Sequence, residues 1–282
     1  MKILTFDIEE WFHILDNKST ENELQWNKYE TRIHKNVDRI LEFLVLKKLN
    51  ATFFIVGWIA EKYPEVVKKI DELGFEIGSH THMHQLVYRQ TKHQFSEDIK
   101  KSIYILESIT NKKVTSFRAP GFSITEKNKW AFEVLYENGI KKDSSVFPSH
   151  RSHGGFPSYG ITSPSRLSYN GIELKEFPIS TFSFFNNNFI YSGGGYFRVS
   201  PYPLINFLSK KSDYIMAYFH PRDFDSDQPV IPNLTTFRRF KSYVGISSCM
   251  LKLSKWVDEF DFTDLRVADN SFDWDIAPIV KV

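Results

Sequence analysis

Short apolar, β-rich runs alternate with segments of helical period along the first half of this chain, and that alternation restricts the fold more than any other feature. Residues 3–6, 51–56, 75–78 and 114–117 read as buried strands. Ile33, Val37, Ile40, Leu41 and Leu44 recur at helical spacing, as do Phe95, Ile99, Ile103 and Leu106. Residues 64–73 begin on a proline and stop at Gly74, and Thr125 is placed to cap a further helix that ends before Gly139. Strand, helix, strand in regular succession implies right-handed crossovers and a parallel sheet, open or closed into a barrel. Ligands of such folds gather at the C-terminal ends of the strands.

The alternation lapses between about residues 148 and 196. Asn170-Gly171, set between residues 167–169 and 172–177, predicts a β-hairpin. Gly193-Gly194-Gly195 reads as a flexible loop in preference to a close approach of backbone to substrate, and it lacks the strand and helix context of a dinucleotide site. Residues 214–219 form one more apolar strand, ending at His220, and residues 235–260 are largely helical. With no repeat or low-complexity linker, one domain is expected over residues 1–282, with a core over 1–222 and a helical extension over 223–282.

Charge and cysteine content exclude several classes. The 36 basic and 34 acidic residues leave a net charge of +2, too little for a long-range field that would gather nucleic acid or an anionic membrane. Cys249 is the single cysteine, so neither a disulfide framework nor a thiolate cluster is available. No stretch approaches the ~20 apolar residues of a membrane span. Residues 1–7 run straight into a strand with no apolar leader, from which a cytoplasmic protein is expected. The 26 phenylalanines and 13 tyrosines either fill the core or present faces for stacking on sugar rings.

Chemistry concentrates at the strand ends. In His80-Thr81-His82-Met83-His84 two imidazoles four residues apart, His80 and His84, can converge on one metal, leaving His82 to point elsewhere. Asp7-Ile8-Glu9-Glu10 closes the first strand. One carboxylate there can complete a two-His, one-carboxylate site, and a second can take a proton from water. Arg118 can hold a carboxylate in fixed orientation, and His220 can protonate a leaving amine.

In this order the segments resemble the polysaccharide deacetylases, the NodB-homology group or carbohydrate esterase family 4. The carriers are Thr5-Phe6-Asp7-Ile8-Glu9, His80 to His84, Arg118-Ala119-Pro120-Gly121, Asp143, and Met216-Ala217-Tyr218-Phe219-His220. Gly193 to Arg198, His220 to Asp225 with Gln228-Pro229, and Arg239-Phe240 resemble a branch of that family found with exopolysaccharide and surface-glycan genes. The resemblance implies an irregular (β/α)7-type barrel with an inserted hairpin region. It also implies one divalent metal, Zn2+ by ligand type with Co2+, Ni2+, Mn2+ or Fe2+ as alternatives, held by His80, His84 and Glu9. Asp7 would be the general base held by Arg118, and His220 the acid oriented by Asp143. The backbone N–H of Gly121 would face the oxyanion, with Gly194, Tyr196 and Arg222 contacting substrate. Two departures matter. The first motif is Asp-Ile-Glu-Glu instead of adjacent aspartates, so Glu10 stays the alternative ligand, although Asp7 and Glu9 share one side of an extended segment. The fourth motif lacks its usual Asp-x-x-Asp-Trp pattern.

The implied reaction is hydrolysis of an N-acetyl group on an N-acetylhexosamine unit in a surface-glycan pathway. Cyclic imide opening and O-acetyl ester cleavage suit the same residues. Outside that chemistry stand a non-haem iron oxygenase, which has no special need for Asp7, Arg118 and His220, and a glycan-binding module, which would lack a base.

Overall fold

The computed structural model describes residues 1–15, 17, 19–20, 22–151, 153–184, 187–232 and 234–282. The alternating half consists of β1 (Lys2–Ile8), α1 (Glu23–Trp26), α2 (Ile33–Lys47), β2 (Thr52–Ile55), α3 (Gly57–Lys62), α4 (Pro64–Glu72), β3 (Glu76–Ser79), α5 (Lys92–Thr110), β4 (Ser116–Phe117), α6 (Trp130–Glu137) and β5 (Lys142–Asp143). The expected hairpin is β6 (Ser165–Tyr169) and β7 (Ile172–Glu176), turning at Asn170-Gly171 with both residues at positive φ. A two-stranded ribbon, β8 (Phe182–Phe184) and β9 (Asn187–Phe189), comes next. It is followed by α7 (Gly194–Val199), α8 (Tyr202–Lys210), β10 (Ile215–Phe219), α9 (Thr236–Tyr243), α10 (Ile246–Glu259), α11 (Leu265–Ser271) and β11 (Ile279–Lys281).

The main sheet runs β10-β1-β2-β3-β4-β5-β7-β6-β11 and is parallel except between β6 and β7. Irregular backbone links the β10 side to the β5 side. Phe177 N–H donates to Asp143 O (2.8 Å) and Ile179 N–H to Val146 O (2.9 Å). Met216 N–H donates to Ser180 Oγ (3.1 Å), and Tyr218 N–H to Ser192 O (3.2 Å). The architecture is the irregular (β/α)7-type barrel, with helices packed outside and the hairpin at one edge. Most of the phenylalanines fill its core, Phe6, Phe53 and Phe219 among them.

Local signals account for most elements. The apolar residues of α2 at helical spacing, Ile33, Val37, Ile40, Leu41 and Leu44, are buried, and Lys48 ends the helix in the left-handed region. Thr91 and Gln94 form a capping box that starts α5. At the opposite end of the sheet from the chemistry, Glu76 accepts from Thr52 Oγ1 (2.8 Å), Ser116 Oγ (2.7 Å), Lys142 Nζ (2.8 Å) and Arg266 N (2.7 Å). One buried carboxylate thereby joins β2, β3, β4, β5 and α11.

Two local expectations are corrected. Thr125 does not cap α6, which begins only at Trp130. The Asn128 carboxamide accepts from both Thr125 N (2.7 Å) and Thr125 Oγ1 (2.6 Å), and that turn holds the segment out of the helix. Gly193 to Gly195 is no loose loop either, because α7 starts there. Gly193 bridges Tyr218, and a Cβ on it would lie 2.2 Å from the Tyr218 carbonyl oxygen. Gly193→Ala should therefore lower stability by roughly 1–3 kcal/mol, the scale of overpacking. Gly195→Ala, whose Cβ meets nothing nearer than 3.4 Å, should have almost no effect. Equal melting temperatures for both variants and the wild type would refute the close approach.

Candidate metal and catalytic site

A cleft of about 520 Å³ opens at the C-terminal ends of β1, β3, β4 and β10 and is lined by Asp7, Glu9, His80, His84, Gly121 and His220. Ile8 is buried in the core while Asp7 and Glu9 face the cleft, as alternation along an extended segment requires. His80 and His84 converge because the chain between them is held in a tight turn. Thr81 and His84 both adopt positive φ (63° and 52°), and His84 N–H donates to Thr81 Oγ1 (3.0 Å). That conformation is costly for a β-branched residue and persists only where its surroundings enforce it. Here the first amides of α3 do so, Gly57 N–H to Thr81 O (2.8 Å) and Trp58 N–H to His82 O (2.9 Å). Asp98 of α5 accepts from the amides of His82 (2.6 Å) and Met83 (3.0 Å).

Ligand atoms of Glu9, His80 and His84 lie within 4.8 Å of one another, and His84 Nε2 is 2.5 Å from Glu9 Oε2. Two imidazoles and a carboxylate suit a divalent cation. Their protonation suits it as well. His80 Nδ1 is 2.7 Å from the Arg118 carbonyl, which can only accept, so the proton sits on Nδ1 and the Nε2 lone pair is free. Burial, followed by the neighbouring His84, holds the His80 pKa well below its usual value, which keeps the ring neutral. Burial alone would raise Glu9, but His84 and His220 outweigh it and leave the carboxyl at about 2.

Glu10 points away from this cluster. Its carboxylate accepts from Thr31 Oγ1 (2.5 Å), Arg32 N (3.0 Å) and Ile33 N (3.2 Å), so it caps the N-terminus of α2. His82 also leaves the cluster, with Nε2 3.4 Å from Glu61 Oε2.

Behind the metal-type cluster, Asp7 and Arg118 form a buried pair. Arg118 Nη1 donates to Asp7 Oδ1 (2.8 Å) and Thr5 Oγ1 (2.7 Å), and Nη2 donates to Ser144 Oγ (2.9 Å). The guanidinium also stacks on Phe54, 4.4 Å from the ring centre. Across the cleft, His220 Nε2 lies 3.9 Å from Asp7 Oδ2 and 4.0 Å from Glu9 Oε1. Burial would lower the His220 pKa. Glu9 first, then Asp223 and Asp7, raise it instead to about 9, so the ring is cationic at neutral pH.

The expected pairing of His220 with Asp143 is corrected. His220 Nδ1 lies 3.1 Å from Asp223 Oδ2, and the other Asp223 oxygen is 2.8 Å from Arg198 Nε. Asp143, at the end of β5, accepts from Ser145 Oγ (2.6 Å) and sits in register with Glu176 of β7. Burial raises the pKa of Asp143 to about 6, and burial plus Asp143 raises Glu176 further, so this pair holds a proton away from the cleft. The signal for Asp223 was local, three residues past His220, where a carboxylate can reach both the backbone N–H (2.9 Å) and the ring.

Tyr196 and Arg222 line the cleft. Gly194 lies behind it, where a Cβ would approach Tyr218 and come within 3.9 Å of His220 Cε1. Arg198 and His13 also line the cleft and were not singled out from the sequence. Arg198 is fixed by donation to the carbonyls of Ser242 (3.1 Å), Val244 (2.8 Å) and Lys241 (3.2 Å).

Two stretches of the chain match family models. Residues 4–139 match the family model for polysaccharide deacetylase, and residues 144–269 match a domain of unknown function (DUF3473). A peptidoglycan deacetylase of Helicobacter pylori is 27% identical over 143 residues, which cover 50% of this chain and 46% of that protein. A peptidoglycan-N-acetylglucosamine deacetylase of Bacillus cereus is 34% identical over 96 residues, 34% of this chain and 35% of the relative. The chain thus spans about half or less of the length of these relatives. A solved structure from Mycobacterium smegmatis, provisionally assigned as a polysaccharide deacetylase, shares the fold with a TM-score of 0.63 at 18% identity, covering 95% of this chain and 88% of its own. Among the described residues no helix is long and apolar enough to cross a membrane. By the family match, and by the metal-type cluster built there, residues 4–139 of this chain belong to the polysaccharide deacetylase family.

Proposed function

We propose that this chain hydrolyses the N-acetyl group of an N-acetylhexosamine unit in a glycan or glycan precursor, releasing acetate and a free amine. The observation that carries this reading is the convergence on one cleft of a guanidinium-held carboxylate, an imidazole held by a second carboxylate and a two-His, one-carboxylate cluster. The names of the bacterial relatives, which act on peptidoglycan, support the same bond type.

Glu9, His80 and His84 would hold one divalent ion, Zn2+ by preference for this donor set. When bound, such an ion acidifies water and polarises a carbonyl. Asp7, fixed by Arg118, takes the proton of the water that adds to the acetyl carbonyl. The backbone N–H of Gly121, in the cleft wall, faces the resulting oxyanion. His220 gives its proton to the sugar nitrogen as the C–N bond breaks. Asp223, held in turn by Arg198, keeps the His220 ring in place. Tyr196 at the rim and Arg222 beside His220 contact the sugar, and Gly194 keeps that approach open.

Metal content and turnover separate these roles. His80→Ala and Glu9→Gln should lose metal by elemental analysis, while Glu10→Gln should keep it and melt lower. Asp7→Asn should keep metal and fold yet lose roughly 10²–10⁴ in turnover, the usual worth of a positioned proton acceptor. Loss of metal from Asp7→Asn with Glu9→Gln fully loaded would reverse the two assignments.

The acid is tested through its holder. Asp223→Asn should lower kcat far more than it changes KM, by up to the same roughly 10²–10⁴, whereas Asp143→Asn should leave kcat near wild type. The opposite ranking would return the orienting role to Asp143. Acetate release should be followed on N-acetylated and O-acetylated sugars, alongside ring opening of a cyclic imide. Faster turnover of either of the latter would replace the proposed bond type.

A further inference from the structure

The cleft carries more positive charge than deacetylation uses. Arg151, Arg198, Arg222, Arg238 and Lys241 all line it. Arg198 is matched by Asp223, and Arg238 donates to the Leu15 carbonyl. Arg151 and Arg222 differ. Among the described residues neither forms an ion pair. Each also has a guanidinium nitrogen, Nη1 of Arg151 and Nη2 of Arg222, that is shut off from solvent with no hydrogen-bond acceptor, although the Arg151 guanidinium does bond the Tyr218 hydroxyl. Aromatic rings hold both in place. Arg151 lies 4.6 Å from the Phe147 ring centre and 5.2 Å from that of Phe122, beside the Tyr218 hydroxyl, and Arg222 lies 5.7 Å from that of Tyr243.

The anions of the cleft do not balance them. Asp7 is matched by Arg118, Asp223 by Arg198, and Glu9 belongs to the metal-type cluster. A bound divalent cation would add to the excess. A neutral sugar entering this cleft would offer these two fixed guanidinium groups only weak acceptors. A phosphate or carboxylate would instead form charge-assisted, bidentate hydrogen bonds. Position narrows the inference. Arg222 is two residues from His220, and Arg151 borders Tyr218, whose ring packs against His220 at 6.2 Å. Both therefore flank the end of the cleft where the leaving nitrogen is protonated, so the anion belongs to the sugar side of the scissile bond.

Resting on the deacetylase reading, we infer that the substrate bears an oxyanion, a phosphate ester or a sugar carboxylate, gripped by Arg222 and Arg151. The test uses the full chain loaded with Zn2+ and four probes: N-acetylglucosamine and its methyl glycoside (neutral), N-acetylglucosamine 1-phosphate, and N-acetylmuramic acid. Acetate release gives kcat/KM for each. Calorimetric titration of metal-loaded Asp7→Asn gives affinity without turnover. At least one anionic probe should exceed the neutral ones by about 10- to 100-fold in affinity, the worth of a hydrogen bond to a charged group. Which anion wins identifies its source. Added salt should erode the ratio in the unmodified protein. Arg222→Gln and Arg151→Gln should each bring the ratio toward one, and Arg222→Lys should restore part of it. Equal affinity for neutral and anionic probes, or a ratio untouched in both Gln variants, would overturn the inference even if acetate is released. Selective anion binding with no acetate from any probe would sustain it and remove the deacetylase reading instead.

Discussion

The buried pair between Arg118 and Asp7 is the interaction on which the rest of the site depends. Arg118 is wholly inaccessible to solvent, and its guanidinium binds the side chains of Thr5 and Asp7 on β1 and of Ser144 just past β5. Its backbone carbonyl fixes the proton of His80. One residue at the end of β4 thus determines where the carboxylate of one motif points and which nitrogen of another is free. A buried pair is weak evidence for stability, since desolvation offsets most of the Coulombic gain. Breaking it is another matter, because the remaining charge would be stranded in the barrel interior at about 3–5 kcal/mol. The pair acts mainly as a constraint that makes a single side-chain arrangement tolerable.

Like residues take unlike charge states around that constraint. His80 is neutral and His220 cationic, although both are imidazoles on one cleft. Glu9 is ionised, whereas burial lifts Asp143 and Glu176 until they retain a proton. What differs is the neighbour that burial brings. At His80 burial and the His84 imidazole outweigh the single carboxylate of Glu9, at His220 three carboxylates outweigh burial, and at Asp143 burial lifts the carboxyl, which in turn raises Glu176. Separating the pKa values of paired groups is how a fixed scaffold assigns acid and base roles near neutral pH.

Much of this was legible in the sequence. The strand and helix alternation, the hairpin at Asn170-Gly171 and the pairing of His80 with His84 follow from period, turn chemistry and spacing. The choice of Glu9 over Glu10 followed from extended alternation, and the cap that Glu10 forms on α2 is its physical counterpart. The partner of His220 was misjudged because motif order suggested a distant aspartate, while a turn of 3-10 helix at residues 221–224 brings Asp223 back onto the ring. Gly193 was misjudged because a glycine triplet looks the same whether it frees the chain or lets it pass close to another strand. Arg198 closed a segment that resembles the family branch but was given no role, since its importance lies in contacts with residues 241–244 and 223 that no local pattern encodes.

The strand order has a further consequence, for how the chain acquires its structure. β1 pairs with β2 on one side and with β10 on the other, so that Lys2 lies opposite Ile215. β1 therefore keeps one open edge until more than two hundred further residues have been made. Contacts of such sequence separation form late and slowly, because loop-closure entropy precedes their reward. Both family-matched segments contribute strands to this one sheet, and the first cannot bury β1 without the second. An emerging chain thus presents an unpaired apolar edge, Ile3 to Ile8, and until β10 is made β1 needs protection from pairing with a neighbour.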